Sequence, residues 1–179
     1  PLDYEHAKKM VAYAQKKGLF VAANFILGFP TETWSEIRKT IDFAEEINVD
    51  YVKLFIAIPL RNTEMYDLAE RTNSIIKETY DANSMWSVGG LIKSNEWTAN
   101  DLTILRAYEW DRINFSNPKK LKRIADRMAI TVEELNQIRK RTLNNAIETI
   151  SSRNDSIESV EKAADIALVS KKDSVNKTN

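Results

Sequence analysis

The sequence predicts an α/β fold with parallel strands, followed by an all-helical extension. Two nearly continuous apolar runs of strand length, residues 19–27 and 51–58, each follow an amphipathic helical stretch. Runs of this kind are typical of parallel strands that are covered on both faces. After residue 98 only helical periodicity and helix-capping patterns recur, which indicates packed helices rather than further βα units.

The first sixty residues predict helix, strand, helix, strand. Asp3 is the expected N-cap of the first helix, and Gly18 follows its end. Gly28–Glu32 forms a turn, and the pattern at Thr33–Glu36 is a capping box that opens the second helix. The predicted inner face of the first helix contains Tyr4, Ala7, Met10, Val11 and Ala14. That of the second contains Trp34, Ile37, Ile41, Ala44 and Ile47.

The remaining chain predicts four further helices and a weak fifth. They span about Glu64–Lys77, Thr98–Phe115, Pro118–Met128 and, after a capping box at Thr131, the residues up to Ile150; the weak one includes Ile157–Ala167. The chain therefore divides into βα units at 1–79, an irregular loop at 80–97, a helical extension at 98–150, and a weak helix with a disordered polar tail at 151–179.

The composition limits the possible functions. The 179 residues are 43% hydrophobic and 29% charged, which is enough for a buried core. Basic and acidic residues balance at 26 each, so the chain has no general attraction to nucleic acid or anionic membrane. The absence of cysteine excludes a disulfide framework, a thiolate-ligated metal site and a cysteine nucleophile within these residues.

The sequence contains no targeting or membrane signal. No apolar run approaches the roughly 20 residues of a membrane-spanning helix, and residues 1–17 are charged and amphipathic. We therefore expect a cytoplasmic protein without a membrane partner. The one histidine, His6, falls on an exposed helix turn and is interpreted as a surface residue.

Two loops follow the carboxyl ends of the predicted strands, where parallel sheets bind ligands. These loops are Gly28–Thr33 and Pro59–Thr63. Gly28 allows close approach of the backbone, and free amides near Thr33 at the start of the next helix are candidates for holding an anionic or polar group. The alternative is that residues 28–30 only turn a corner. The residues alone leave both interpretations open.

A resemblance to a known family bears on this choice. Residues 24–33 read Asn-Phe-Ile-Leu-Gly-Phe-Pro-Thr-Glu-Thr, and Thr-Ile-Asp-Phe-Ala, Asp-Tyr-Val-Lys and Pro59 follow. This pattern resembles the fifth and sixth strands of the radical S-adenosylmethionine (radical SAM) barrel. It is most similar to members that carry an N-terminal cobalamin-binding domain. Thr31 and the sequence Arg61–Thr63 depart from the family's usual Gly and Pro-Gly-Thr.

The resemblance implies a C-terminal fragment of a radical SAM partial (β/α) barrel, followed by the helical extension. In that family a four-iron four-sulfur cluster on three cysteines reduces SAM to a 5′-deoxyadenosyl radical. This chain has no cysteine, so the resemblance implies that a missing N-terminal half holds the cluster, and cobalamin where it is used. We therefore expect the chain to be inactive alone. The substrate in the barrel mouth and the reaction type stay open.

The resemblance also implies where the adenosyl group lies. The family's fifth-strand pattern Gly-x-Ile-x-Gly falls on Asn24, Ile26 and Gly28, which places Ile26 against the adenine with Gly28 beside it. The implied SAM-binding residues are Asn24, Ile26, Gly28, Phe29, Pro30, Ile58 and Pro59. No catalytic or metal-ligating residue is predicted within the chain.

A second hypothesis is a helix-turn-helix DNA-binding or protein-interaction module at residues 118–145. Small residues Ala125 and Ala129 and apolar Leu135 have the required spacing, and this stretch holds eight Lys/Arg against three Asp/Glu. The turn lacks glycine, and the second helix would begin with Glu133 and Glu134, whose charges repel phosphates. Nucleic acid is therefore the less favoured partner. A purely structural or interaction role for the chain is a third possibility.

Two further expectations concern packing. Trp86, Trp97 and Trp110 form either an aromatic substrate wall or, as favoured here, a satellite core under the 80–97 loop. The first predicted strand has no upstream neighbour in this sequence, so its edge is unpaired and apolar. We expect self-association of the chain unless the helices after residue 98 cover that edge.

Overall fold

A computed structural model of the chain describes residues 3–77, 80 and 90–152. The elements in these ranges are α1 (Tyr4–Lys16), β1 (Ala22–Leu27), α2 (Trp34–Glu46), β2 (Tyr51–Ile56), α3 (Glu64–Arg71), α4 (Ala99–Phe115), α5 (Pro118–Met128) and α6 (Val132–Ser151). The predicted weak helix, the polar tail, Trp86 and most of the predicted loop lie outside the described residues.

The two strands form a parallel sheet connected by α2, which confirms the βα unit and the mixed α/β class. Ala22 pairs with Tyr51 and Leu27 pairs with Ile56. Within the described part of the chain the sheet has these two strands. The partial barrel therefore stays a prediction, and it is taken up under the proposed function.

The predicted helix starts are confirmed because their capping residues act locally. Thr33, Thr98 and Thr131 each accept a hydrogen bond from a backbone N–H three residues later, and a carboxylate at that later position bonds back to the cap. Asn117 caps α5, in which Pro118 occupies the first turn. Asp3 caps α1, as expected.

The predicted extent of α3 is wrong. The helix ends at Arg71 rather than near Lys77. Asn73 adopts a left-handed backbone with φ of 52°, a conformation that ends a helix. Ile75 then forms an isolated antiparallel bridge with Ile92, so a tertiary contact continues the chain in an extended form.

The expectation that both faces of the strands are covered is also wrong. Val52 and Leu54 of β2 are buried, and they face the helices. The opposite face carries exposed residues: Ala22, Asn24 and Ile26 on β1, and Lys53 and Phe55 on β2. We call these five residues the open face. The described helices pack against the other side of the sheet. The apolar composition of the two strands was therefore not sufficient to predict burial on both faces.

The inner face predicted for α1 is only partly formed. None of its residues is buried, and Tyr4 and Met10 are 55% and 49% exposed. The Tyr4 ring meets the edge of Phe43 on α2 at a centroid distance of 4.5 Å, and Lys8 forms an ion pair with Glu46 at 2.6 Å. The helix thus lies along the margin of the domain.

The helical extension shares the core of the βα unit. α4 lies against β2, and its Leu102, Leu105 and Ile113 belong to the same buried cluster as Leu27 and Ile37. A second cluster is formed by Phe115, Ile124, Ala125 and Leu135, and it joins α5 and α6 to the end of α4. The extension therefore supplies one layer of the sheet packing.

Asn114 of α4 closes the outer edge of β2. Its Oδ1 accepts the Val52 N–H at 2.8 Å, and its Nδ2 donates to the Val52 C=O at 2.9 Å. The side chain is fully buried. It therefore takes the place that a neighbouring strand would have at this residue.

The α5 and α6 helices are joined by a short turn at residues 129–131. Ala129 takes the left-handed conformation, with φ of 56°, so the turn forms without glycine. Glu133 and Glu134 are exposed at the start of α6. No helix among the described residues is long and apolar enough to cross a membrane.

Candidate functional site

The candidate site comprises the open face of the sheet and the loops that follow the strands. In the strand register Asn24 lies opposite Lys53, and Ile26 lies opposite Phe55. Ile26 and Phe55 are 49% and 47% exposed. The open face thus has a polar pair in the middle of the strands and an apolar pair toward their carboxyl ends.

Sequence reasoning missed Lys53 and Phe55. The signal was present, because alternate residues of a strand share a face and a lysine interrupts an otherwise apolar run. A lysine within a doubly covered strand would need a buried partner. Lys53 therefore pointed to a face that the helices leave open.

Gly28 is buried under α4. Its φ is +81°, and a Cβ atom there would clash with Cδ1 of Leu102. The side chain of Leu102 therefore fills the space that a branched residue at position 28 would need. This packing accounts for the glycine without a ligand, and a contact between Gly28 and SAM stays a prediction.

The loop after β1 is held closed by its own carboxylate. Glu32 Oε2 accepts the N–H of Gly28 at 2.6 Å and the N–H of Phe29 at 3.0 Å. The Glu32 C=O in turn accepts the indole N–H of Trp97 at 2.8 Å. Two backbone donors at the carboxyl end of β1 are thus already bonded within the chain.

The backbone N–H groups of Thr33, Trp34 and Glu36 at the start of α2 are bonded within the chain. The Thr33 N–H donates to Glu36 Oε2 at 2.8 Å, and the Glu36 N–H donates to the Thr33 hydroxyl. The Trp34 N–H donates to Glu96 Oε2 at 2.7 Å. Local capping and one distant carboxylate therefore occupy these three amides, and a ligand would have to displace them to bind there.

The other predicted site residues are divided between surface and interior. Phe29 is 43% exposed, whereas Pro30 is buried. Ile58 is half-buried, and Pro59 is buried with its C=O accepting the Tyr80 hydroxyl at 2.8 Å. The structure thus brings Asn24 and Ile26 together on the open face and encloses Gly28, Pro30 and Pro59.

Trp97 and Trp110, the described members of the predicted tryptophan wall, belong to the packing of the domain. Trp97 is 1% exposed and lies in the main cluster rather than in a satellite core. Trp110 donates its indole N–H to the Tyr51 hydroxyl at 3.1 Å and packs against Phe115. The substrate-wall interpretation is therefore not supported at either position.

The buried part of Glu32 makes the stability of the chain depend on pH. Burial raises the pKa of Glu32 above its ordinary value of 4.5, although the Phe29 and Gly28 N–H groups oppose this shift. A carboxyl group with a raised pKa holds more protons in the folded than in the unfolded chain, so stability falls as the pH rises from the unfolded pKa through the folded pKa.

We expect this loss of stability with rising pH to be absent in Glu32→Gln, because the glutamine side chain cannot ionise. The free energy of unfolding of the unmodified chain should fall relative to the variant as the pH rises above about 4.5. Urea denaturation at a series of pH values measures the difference. Parallel pH profiles for the two chains would contradict the prediction.

A comparison with known proteins found a similarity over part of the chain. The chain is 30% identical over 95 residues to an uncharacterized methyltransferase of Pyrococcus horikoshii. The match covers 53% of this chain and 20% of that protein, so the chain spans about a fifth of the relative's length. No protein-family model and no solved structure matches the chain. In part of its length, therefore, the chain is similar to a methyltransferase.

Proposed function

We propose that the chain is the C-terminal portion of a radical SAM enzyme that transfers methyl groups. In this proposal it contributes the adenosyl side of the SAM site and a helical extension, and it is inactive alone. The observation that carries the proposal is the similarity to a methyltransferase over 95 residues. An N-terminal half of the parent supplies the remaining strands and the iron–sulfur cluster.

The open face supports this assignment. Ile26 and Phe55 are adjacent, half-exposed apolar side chains toward the carboxyl ends of two parallel strands. Cofactor sites are mostly apolar with a few polar groups that fix orientation, and in parallel barrels they lie at this end of the strands. The adenine ring packs on Ile26 and Phe55, and the Asn24 amide offers a donor and an acceptor beside it.

The residues present fit SAM and do not fit the cluster. The sequence has no cysteine, and the described residues contain no group of three or more His, Asp or Glu side chains that could hold a metal ion. SAM bound at this site would supply the 5′-deoxyadenosyl radical, and the transferred methyl group would come from a second SAM; the chain's own part is to bind the adenosyl end and exclude water from it. Cobalamin, if the parent uses it, belongs to an N-terminal domain.

Anaerobic reconstitution tests the proposal. The 179-residue chain should bind no iron and form no 5′-deoxyadenosine, whereas the parent polypeptide should do both. In the parent, Ile26→Ala should weaken SAM binding about tenfold, since it removes an apolar contact of about 1–2 kcal/mol. Ile147→Ala is the control, because Ile147 is 38% exposed on α6. Stoichiometric iron on this chain, or equal SAM affinity of both variants, would overturn the proposal.

The alternative function is a helix-turn-helix at residues 118–145, and the short turn between α5 and α6 favours it. Three of its cations are already paired: Arg123 with Asp50 at 3.0 Å, Arg139 with Asp111 at 2.7 Å, and Lys122 with Asp126 at 3.2 Å. The exposed acids at the start of α6 further oppose phosphate contacts. Salt-dependent binding of the chain to duplex DNA would favour this alternative.

A further inference from the structure

A groove of about 420 Å³ lies beside the loop that follows β2. Its volume is in the range of small-molecule sites, and loops after the strands of a parallel sheet are where such folds bind ligands. None of the five residues of the open face lines it. The groove is formed by α3 and by the segments on either side of that helix, and its lining includes Arg61, Tyr66, Glu70, Ile75, Lys77 and Tyr80.

Two tyrosine rings in the groove are held in place by the chain itself. The Tyr80 hydroxyl donates to the Pro59 C=O at 2.8 Å, and the Tyr66 hydroxyl donates to Glu70 Oε1 at 3.1 Å. The two rings meet edge to face at a centroid distance of 5.7 Å, and both are half-buried. Because both hydroxyls are already bonded, the rings offer a ligand their apolar surface.

Two cations line the same groove. Arg61 Cζ lies 5.8 Å from the centroid of the Tyr80 ring, a cation–π position that leaves the guanidinium N–H groups available as donors. Arg61 and Lys77 are exposed, and neither forms an ion pair with another described residue. Glu70 is the acidic residue of the described lining, and its carboxylate accepts the Tyr66 hydroxyl. Two cations against one carboxylate make the groove attractive to an anion.

We propose that this groove binds a small molecule that combines a flat ring with an anionic group, either a phosphate or a carboxylate. The ring of the ligand packs against Tyr66, and the anion is bound by Arg61 and Lys77. A guanidinium group offers parallel N–H donors that match both kinds of anion. The Asn73 side chain also lines the groove, and its amide has a donor and an acceptor for polar atoms of the ring.

The groove suits a single small anion rather than a polyanion. The formal net charge of the chain is zero, so the attraction is local to the groove and does not extend over the molecular surface. The inference does not rest on the proposed function, because neither SAM nor an iron–sulfur cluster takes part in this binding. Failure of the groove to bind a ligand would leave the proposed function intact, and the reverse also holds.

Isothermal titration calorimetry of the 179-residue chain tests the ligand class. The probes 1-naphthyl phosphate and 1-naphthoate carry a flat ring and an anion, whereas 1-naphthol has only the ring and glycerol phosphate only the anion. At least one of the first two should bind about tenfold more tightly than either of the others, and the comparison of the two identifies the anion. Equal affinities for the charged and neutral naphthyl probes, or no binding at millimolar concentrations, would overturn the proposal.

Matched variants test the location of the site. Arg61→Gln should weaken binding of the tighter probe about tenfold. Arg71→Gln is the control, because Arg71 is also exposed, lies outside the described lining and changes the net charge equally. Tyr66→Leu should weaken binding about fivefold, whereas Tyr66→Phe keeps the ring and should bind as the unmodified chain does. Circular dichroism checks folding, and the exposed Arg61 variant decides the matter if Tyr66→Leu does not fold. Unchanged binding by Arg61→Gln, an equal loss in Arg71→Gln, or equal binding by folded Tyr66→Leu and Tyr66→Phe would each overturn the proposal.

Discussion

Replacing Gly28 by valine should destabilise the chain by about 3 kcal/mol or more. The left-handed backbone costs a residue with a side chain about 1–2 kcal/mol, and overpacking a filled core adds about 1–3 kcal/mol. The overpacking arises because the new Cβ would clash with Leu102 Cδ1. Urea denaturation of the 179-residue chain, followed by circular dichroism, measures the loss.

Gly18→Val is a matched control for this variant. Gly18 has the same φ of +81°, but a Cβ atom added there would have no other atom within 4 Å. It should therefore lose only the backbone contribution, about 1–2 kcal/mol. Leu102→Ala should lower the free energy of unfolding less in a Gly28→Ala chain than in the unmodified chain. The reason is that it relieves the contact between the new Cβ at position 28 and the Leu102 side chain. Equal losses for the two valine variants would show that Leu102 does not constrain position 28.

Glu109→Ala should lower the free energy of unfolding by a similar amount, about 3–5 kcal/mol. Glu109 is 1% exposed, and it accepts Arg38 Nη1 at 2.9 Å and Arg112 Nε at 2.7 Å. Its removal leaves two partly buried guanidinium groups without this acceptor, and it breaks the Arg38–Glu109 ion pair between α2 and α4. Thermal and urea unfolding should both report the loss.

Glu45→Ala is the control for this ion-pair network. Glu45 binds the guanidinium of Arg112 through both carboxylate oxygens, at 2.8 and 2.9 Å, but its side chain is 50% exposed. Exposed ion pairs contribute about 0–1 kcal/mol, and salt screens them. The Glu109 effect should persist in high salt, whereas any Glu45 effect should vanish. A salt-sensitive Glu109 effect would contradict the buried role.

The sequence alone identified the elements that depend on neighbours within three or four residues. Thr33, Thr98 and Thr131 cap their helices through bonds inside a single turn, so their positions were readable from the pattern. The parallel order of β1, α2 and β2 also followed from the apolar runs and the helix between them. Of the candidate site, Asn24 and Ile26 were correctly expected on the strand that borders the open face.

Contacts between distant residues decided the rest. Leu102 fills the space beside Gly28, and Asn114 closes the edge of β2 from 62 residues away. Ile92 bridges to Ile75 and so holds the chain after α3 in an extended form. Which strand face stays open depends on where α2 and α4 pack. A local pattern fixes a residue's backbone conformation, but burial and edge pairing depend on partners that only the folded chain brings near.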